Sequence, residues 1–234
     1  MTIPKKIHYC WFGSKEEPAE LLKWKESWKK YCPDYEINLW NEKNFDVNSY
    51  PYVKKQYEKG RYDLVSDYVR LNVIANYGGI YLDTDVEIIR PLDELLNNEC
   101  FFGLENRRSI ASGLIFGAEK NNSNIINLLS LYDKNYDDIS FLDENCVEIT
   151  TNYFRRMGFK NHDRIQFLNG CTIYPVSYFC PIKYGSKKVK IKKNTFSIHH
   201  YKQQSFRKRI NIKVGNLILL FGGEKMLNKL RRKD

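Results

Sequence analysis

The sequence predicts an α/β fold in a single domain, and three observations predict it. The chain opens with a strand–helix–strand unit: Ile3 to Phe12, Glu17 to Tyr31 and Tyr35 to Trp40. A helical pattern from about Tyr62 to Tyr77 stops at Gly78-Gly79 and gives way to a strand-forming run, Ile80 to Val86. The 234 residues show no internal repeat, low-complexity tract or interdomain linker, and their number suits one domain with a substantial core.

In the first strand Pro4 stands at the edge, Gly13-Ser14 is the stop, and Ile7, Tyr9 and Trp11 share one face. Ligands of open α/β sheets gather beyond the carboxyl ends of the strands, where Trp11 falls. An indole there either stacks on a nucleobase or fills the core, and the residues alone leave both open. The next helix has Pro18 in its first turn and Leu21, Trp24, Trp28 and Tyr31 on one face, which reads as core. Pro33 stops it before the second strand. A βαβ opening of this kind is expected of a nucleotide-binding half-sheet. Asn41 to Gly60 reads as a short helix with loops.

The central stretch, Val65 to Glu87, carries the chemistry. Leu64, Tyr68, Leu71 and Ala75 form one helical stripe, broadened by Val65 and Val69. Asp67 and Arg70 are three apart and project from the same side. Glycine readily takes the left-handed conformation that ends a helix, which accounts for Gly78-Gly79. Side chains alternate along a strand, so Asp83 and Asp85 are expected on one face, about 7 Å apart at Cα. Ile80, Leu82 and Thr84 then face the other way. Two carboxylates at the end of a buried strand repel unless a cation lies between them. All-oxygen ligation suits Mg²⁺ or Mn²⁺, whose shell is often completed by substrate phosphates. The stretch therefore reads as a metal–diphosphate clamp. A lone Asp-x-Asp is commonly a solvated turn; here a helix, a glycine stop and an apolar strand precede it.

Beyond Pro91, Leu92 to Leu96 reads as a helical turn. Phe101 to Leu104 and Ser112 to Gly117 read as strands around a charged loop, Glu105 to Arg108, which either touches a ligand bound near the aspartates or is an ordinary solvated turn. Asn124 to Tyr136 is helical by pattern, and Asp137 to Asn145 is an acidic loop without the spacing of a Ca²⁺ site. Thr151 to Met157 reads as a helix and Ile165 to Phe179 as short strands and turns. Lys187 to Lys193 alternates Lys with Val and Ile like an edge strand, and Phe196 to Tyr201 is a last short strand. His199 and His200 cannot both face the same way on it. One imidazole there either joins the two carboxylates on a metal that accepts nitrogen, such as Mn²⁺, or is an ordinary core or surface histidine.

Charge is unevenly spread. Residues 183–234 hold 16 Lys/Arg against 2 Asp/Glu, a net +14, and residues 1–182 hold 22 against 26, a net −4. Within 207–234, Ile210, Ile212, Val214 and the run Leu217 to Phe221 are bracketed by basic residues and are too short to span a bilayer. This composition suits an anionic membrane surface, and equally a basic helix packed on the domain. Nucleic acid is disfavoured as a partner because the tail lacks a recognition motif. The N-terminus lacks the apolar core of a signal peptide, and the six cysteines show no C-x-x-C pair. Reduced core thiols and a cytoplasmic location are expected.

The stretch SDYVRLNVIANYGGIYLDTDVE resembles the DXD sugar-binding region of glycosyltransferase family 32, which includes bacterial capsular and exopolysaccharide transferases and fungal mannosyltransferases. The resemblance extends to IPKKIHYCWFG, SWKKYCPDYEINLWNE, YPVSYFCP and SIHHY, and reaches about residue 206. It implies a GT-A fold over 1–206, with 207–234 as a basic amphipathic tail. It implies that Asp83 and Asp85 hold Mn²⁺ or Mg²⁺ against the diphosphate of a nucleotide-sugar donor, with His200 as a third ligand. His200 is favoured over His199 because related enzymes place an aromatic just after the metal-binding histidine. Trp11 would stack on the donor base. Asp67 and Arg70 would hold the donor sugar and diphosphate, with Gly79 also in the donor site. Asp67, Arg70, Asp83 and Asp85 form the implied catalytic set, acting with retention at the anomeric carbon. The family's usual tryptophan after the histidine pair is Phe206 here, which removes an indole N–H donor. UDP is the base that bacterial relatives imply. With the basic tail, the resemblance points to a glycan acceptor linked to a lipid diphosphate such as undecaprenyl diphosphate, at the inner face of the membrane, in capsule or exopolysaccharide synthesis. Two other classes are kept: a metal-dependent phosphohydrolase or nuclease using the paired aspartates, and a non-catalytic protein that binds anionic surfaces.

Overall fold

The computed structural model describes residues 2–138, 141, 144–182 and 188–201. The opening unit is as predicted: β1 (Lys6–Cys10) and β2 (Glu36–Trp40) pair in parallel and are joined by α1 (Ala19–Tyr31). After α2 (Pro51–Glu58) and α3 (Tyr62–Tyr77), β3 (Gly79–Leu82) lies parallel to β1 on its other side, Ile7 opposite Ile80. β5 (Cys100–Asn106) and β6 (Ser109–Ala118) form a hairpin, and β6 runs antiparallel to β3. The two-stranded remainder, β7 (Gln166–Leu168) and β8 (Cys171–Tyr174), extends the sheet from β5. Among the described residues these strands make one mixed sheet in the order β2-β1-β3-β6-β5-β8-β7.

Strand alternation divides the core between the two faces of this sheet. Tyr81, Phe102 and Phe116 pack with α2, α3, α4 (Ser123–Lys134) and α5 (Cys146–Arg156). Ile80, Leu82, Phe101 and Ile115 pack on the other side with Trp28 of α1 and with β4 (Val86–Ile88) and the Phe196 segment. Covered on both faces, the central strands read as apolar runs rather than as alternation.

α3 is buried on nearly every side, from Leu64 to Ala75, rather than along a single stripe. It ends where Gly78 and Gly79 take φ of 64° and 114°. A Cβ on Gly79 would lie 2.7 Å from the Lys6 carbonyl oxygen, so the close approach of β3 to β1 requires glycine there.

Several expectations are corrected. The run from Ile80 to Val86 is not one strand: β3 stops at Leu82, Thr84-Asp85 is a turn, and β4 leaves the main sheet to pair with β9 (Ser197–His199). α5 begins five residues before the predicted Thr151. Its β-branched residues, Val147, Ile149, Thr150 and Thr151, disguise it, but the Asn145 side chain caps it by accepting from the Val147 and Glu148 N–H groups. Residues 188–193 form no strand beyond a bridge between Ile182 and Val189, because Val189 and Ile191 find no core to face and remain exposed. The Ile165 to Phe179 stretch ends in a helical turn, Val176–Phe179. All six cysteines are buried and free. Phe206 and the tail 207–234 lie outside the described residues.

Candidate active site

A cleft of about 910 Å³ opens beyond the carboxyl ends of β1 and β3. Trp11, Asp67, Arg70, Asp83, Asp85 and His199 all line it. They come from four separate parts of the chain. The loop after β1 supplies Trp11, α3 supplies Asp67 and Arg70, and the turn after β3 supplies the two aspartates. β9 supplies His199.

Arg70 is the hub. Its Nη2 lies 3.0 Å from Asp67 Oδ1 and 3.2 Å from Asp83 Oδ1, and its Nε donates to the Ser66 carbonyl at 3.1 Å. The guanidinium also lies over the Tyr81 ring, 4.8 Å from its centroid. Asp67 Oδ2 accepts the Cys146 N–H at 3.1 Å, so it takes the first free donor of α5. Burial pushes the Asp67 carboxyl up against the opposing pull of Arg70 and of that N–H. A Cβ at Gly113 of β6 would lie 2.9 Å from Asp83 Oδ2 and 3.0 Å from Arg70 Nη1. Only glycine leaves this ion pair its place on the strand.

Asp83 and Asp85 do not project from one strand face as predicted. A turn, closed by the Val86 N–H donating to the Asp83 carbonyl at 3.1 Å, brings them together instead. Trp28 Nε1 donates to the Val86 carbonyl at 2.7 Å, which fixes β4 on α1. β4 pairs with β9 with Val86 opposite His199, and His199 Nε2 comes to 2.9 Å from Asp85 Oδ1. Burial raises the Asp83 carboxyl to about 6, although Arg70 and His199 draw it down. Burial alone would depress His199, but Asp85, Asp83 and Glu105 hold its protonation above the ordinary value.

One ligand atom from each of Asp83, Asp85 and His199 falls within 4.8 Å of the others. Two carboxylates and an imidazole are a donor set that suits Mn²⁺ or another divalent ion accepting both oxygen and nitrogen. The residues fit the metal that the DXD region implies.

The histidine preference is corrected. His199, not His200, faces the aspartates. Consecutive residues of an extended segment point to opposite faces, and His200 turns out to α1, where its ring stacks on Trp24 at 3.7 Å and 13° and its Nε2 lies 2.9 Å from Glu87 Oε2. Gly79 is likewise not in the cleft: it sits at the start of β3 against Lys6 and His8. Trp11 is at the cleft, its Nε1 donating to the Lys15 carbonyl at 2.8 Å, and its loop is pinned by the Gly13 N–H donating to Glu42 at 2.6 Å. Sequence reasoning places Glu105 only in a charged loop, and it misses Gly113 and the start of α5 as lining residues. The N-cap type of Asn145 is the one local signal that points to the last of them.

The fold is of the GT-A type. Residues 18–102 match the family described as glycosyltransferase sugar-binding region containing DXD motif, and Asp83-Thr84-Asp85 is that motif. The matched residues are a little over a third of the 234. It is 36% identical over 117 residues to inositol phosphoceramide mannosyltransferase 3 of Schizosaccharomyces pombe, covering 48% of this chain and 32% of that one. It is 30% identical over 128 residues to the initiation-specific alpha-1,6-mannosyltransferase of Candida albicans, covering 50% and 32%. The matched stretch thus spans about a third of the length of these curated relatives. Among solved structures, the PaToxG glycosyltransferase shares the fold, with a TM-score of 0.53 at 17% identity over 66% of this chain and 68% of that one.

Proposed function

We propose that the protein is a metal-dependent, retaining glycosyltransferase that moves a hexose from a nucleotide-diphosphate sugar to a lipid-linked glycan. The observation that carries this reading is the shared Arg70. One guanidinium bridges a helix carboxylate and the first aspartate of the DXD motif, next to the Asp85–His199 pair, in a single cleft.

Each residue has a task its chemistry suits. Arg70 offers a planar donor fork to the diphosphate oxygens. Asp67, held by α5, accepts sugar hydroxyls. Asp83, Asp85 and His199 would hold a divalent ion, which would supply positive charge against the departing diphosphate. Trp11 gives the donor base a plane to stack on. UDP is the proposed base, by analogy with bacterial members of the family, and the mannosyltransferase relatives add mannose to the hexoses worth testing. The name of the fission-yeast relative, an inositol phosphoceramide mannosyltransferase, supports a lipid-borne acceptor. Capsule or exopolysaccharide assembly at the cytoplasmic membrane face, reached through the basic tail, completes the proposal. Deleting residues 211–234 is expected to release the protein from anionic vesicles while leaving donor hydrolysis intact.

The test is a thermal-shift panel of UDP, GDP and their hexose conjugates, each with and without Mn²⁺. A ligand that binds only the folded state raises the midpoint by mass action. A shift that needs Mn²⁺ and disappears in Asp85→Asn is the expected result. Turnover of simple phosphate esters without any nucleotide response would instead favour a phosphohydrolase.

A further inference from the structure

A second, smaller cavity shares no lining residue with the cleft. It measures about 320 Å³, within the range of roughly 300–1,000 Å³ that small-molecule sites occupy. We propose that it is a binding site for a neutral hexose unit of a glycan, separate from the site of transfer.

The cavity lies on the other side of α3. Asn72 and Asn76, one helical turn apart, line it, and at helical period they face away from Asp67 and Arg70. Four aromatic rings line it in two pairs. The ring centroids of Trp40 and Tyr77 are 5.2 Å apart at 33°, and those of Phe45 and Tyr50 are 5.1 Å apart at 22°. Tyr77 is 48% exposed and Trp40 is half-buried, so this aromatic surface is not spent on the core. The Trp40 ring is fixed in place. Its Nε1 donates to His8 Nδ1 at 3.0 Å, so the imidazole proton sits on Nε2 and goes to the Gly78 carbonyl, also at 3.0 Å. With its N–H used in this way, the indole offers a ligand its apolar surface alone.

Polar groups stand beside the rings. Asn76 Nδ2 donates to the Asn72 carbonyl at 2.9 Å and to Asn72 Oδ1 at 3.1 Å, which leaves Asn76 Oδ1 open as an acceptor. The loop from Asn41 to Ser49 is braced by its own side chains. Asn44 Nδ2 donates to the Leu39 carbonyl at 2.8 Å and its Oδ1 accepts the Asn41 N–H at 3.0 Å. Asp46 accepts the Asn48 N–H at 3.0 Å and the Ser49 hydroxyl at 2.6 Å. The wall is therefore formed before a ligand arrives, which lowers the cost of binding.

Charge narrows the class of ligand. No Lys or Arg lines the cavity, and Asp46 is its one charged residue. A phosphate or nucleotide would meet a carboxylate and no cation, so the anionic ligand that suits Arg70 does not suit this site. A quaternary ammonium group would suit the rings and the carboxylate but would leave three amides unused. A pyranose uses both kinds of surface: its C–H face packs on an aromatic plane, and the hydroxyls at its rim bond to amide and carboxylate oxygens. In a glycosyltransferase such a site holds a part of the glycan already built while the next sugar is added in the cleft. That role rests on the transferase reading; the binding itself does not.

Saturation-transfer NMR on the full chain tests this, with UDP and Mn²⁺ present to fill the donor site. The probes are the methyl glycosides of glucose, galactose, mannose and N-acetylglucosamine, with tetramethylammonium as the cationic comparison. At least one glycoside is expected to bind. Tyr77→Ala and Asn76→Ala, both at exposed positions, are each expected to weaken it about 3- to 10-fold, the loss of one stacking or hydrogen-bond contact. Donor hydrolysis by both variants should stay unchanged. Binding that neither variant alters overturns the proposal, as does binding of none of the glycosides or of tetramethylammonium in their place. If a glycoside binds and responds to both variants while no nucleotide sugar binds, the transferase reading fails and the sugar site stands.

Discussion

Arg70 Nη2 lies 3.0 Å from Asp67 Oδ1, and the same nitrogen reaches Asp83 at 3.2 Å. One cation therefore compensates a carboxylate fixed on a buried helix and a carboxylate that faces the cleft. Asp67 and Arg70 are both nearly buried, with side-chain exposures of 9% and 5%, whereas Asp83 is 28% exposed.

Arg70→Ala is expected to destabilise the fold, because it strips the buried Asp67 of its cation. Breaking a buried pair costs about 3–5 kcal/mol. The Cys146 N–H still serves Asp67, so a value near the lower end is expected. Urea unfolding measures it, and an unchanged midpoint would mean that Arg70 is not what compensates Asp67. Arg70→Lys keeps the charge but loses the fork, so it should retain more stability than donor affinity.

Metal binding should strengthen with rising pH. Asp83, raised to about 6, and His199, raised above the ordinary imidazole value, must both give up protons to become ligands. Mn²⁺ affinity is therefore expected to fall steeply below about pH 6, which calorimetry across that pH would read. A flat profile would exclude Asp83 as a ligand. The metal-free protein should show the opposite trend in stability. The folded state keeps the Asp83 proton between the ordinary value of 3.8 and about 6, so acidification through that window stabilises the fold through this group. His199 contributes in the same sense: its stabilisation is full below the unfolded value and is lost as pH rises through the raised one.

The two histidines should separate. His199→Ala removes one of the three groups that could hold a metal ion, and His200→Ala removes the stack on Trp24 and the contact with Glu87. Supporting residues around a metal typically cost roughly 10–100-fold in affinity, and a ligand at least as much. Mn²⁺ titration of both variants is expected to place His199→Ala as the weaker binder. The reverse order would return His200 to the site.

Gly113→Ala should impair the site more than the fold. Its Cβ would press on Asp83 Oδ2 at 2.9 Å and Arg70 Nη1 at 3.0 Å. Overpacking of this size costs about 1–3 kcal/mol. Donor affinity should fall while the protein remains folded, and a variant with unimpaired donor binding would show that the ion pair can shift without cost.

How much was legible follows from which interactions are local. Tyr62 to Tyr77 reads as a helix because its stop, Gly78-Gly79, is adjacent in sequence and its φ values are those of glycine. Asp67 and Arg70 meet because three residues on a helix are neighbours, a relation that spacing alone conveys. Asp83 and Asp85 were legible as a pair, but their geometry was not. A strand period reads straight through Thr84, where the chain in fact turns out of one sheet and into another.

The sequence by itself determined the βαβ opening, the central helix with its glycine stop, and the acid, base and aromatic types that the site employs. These depend on local periodicity and on the backbone preferences of single residues. The tertiary structure decided which side chains meet. His199 rather than His200 reaches Asp85, because β9 pairs with β4, 113 positions separating His200 from its partner Glu87. Glu105 enters the cleft because one strand slips a residue against its neighbour. Such contacts are set by register and packing between distant segments, and no local pattern encodes them.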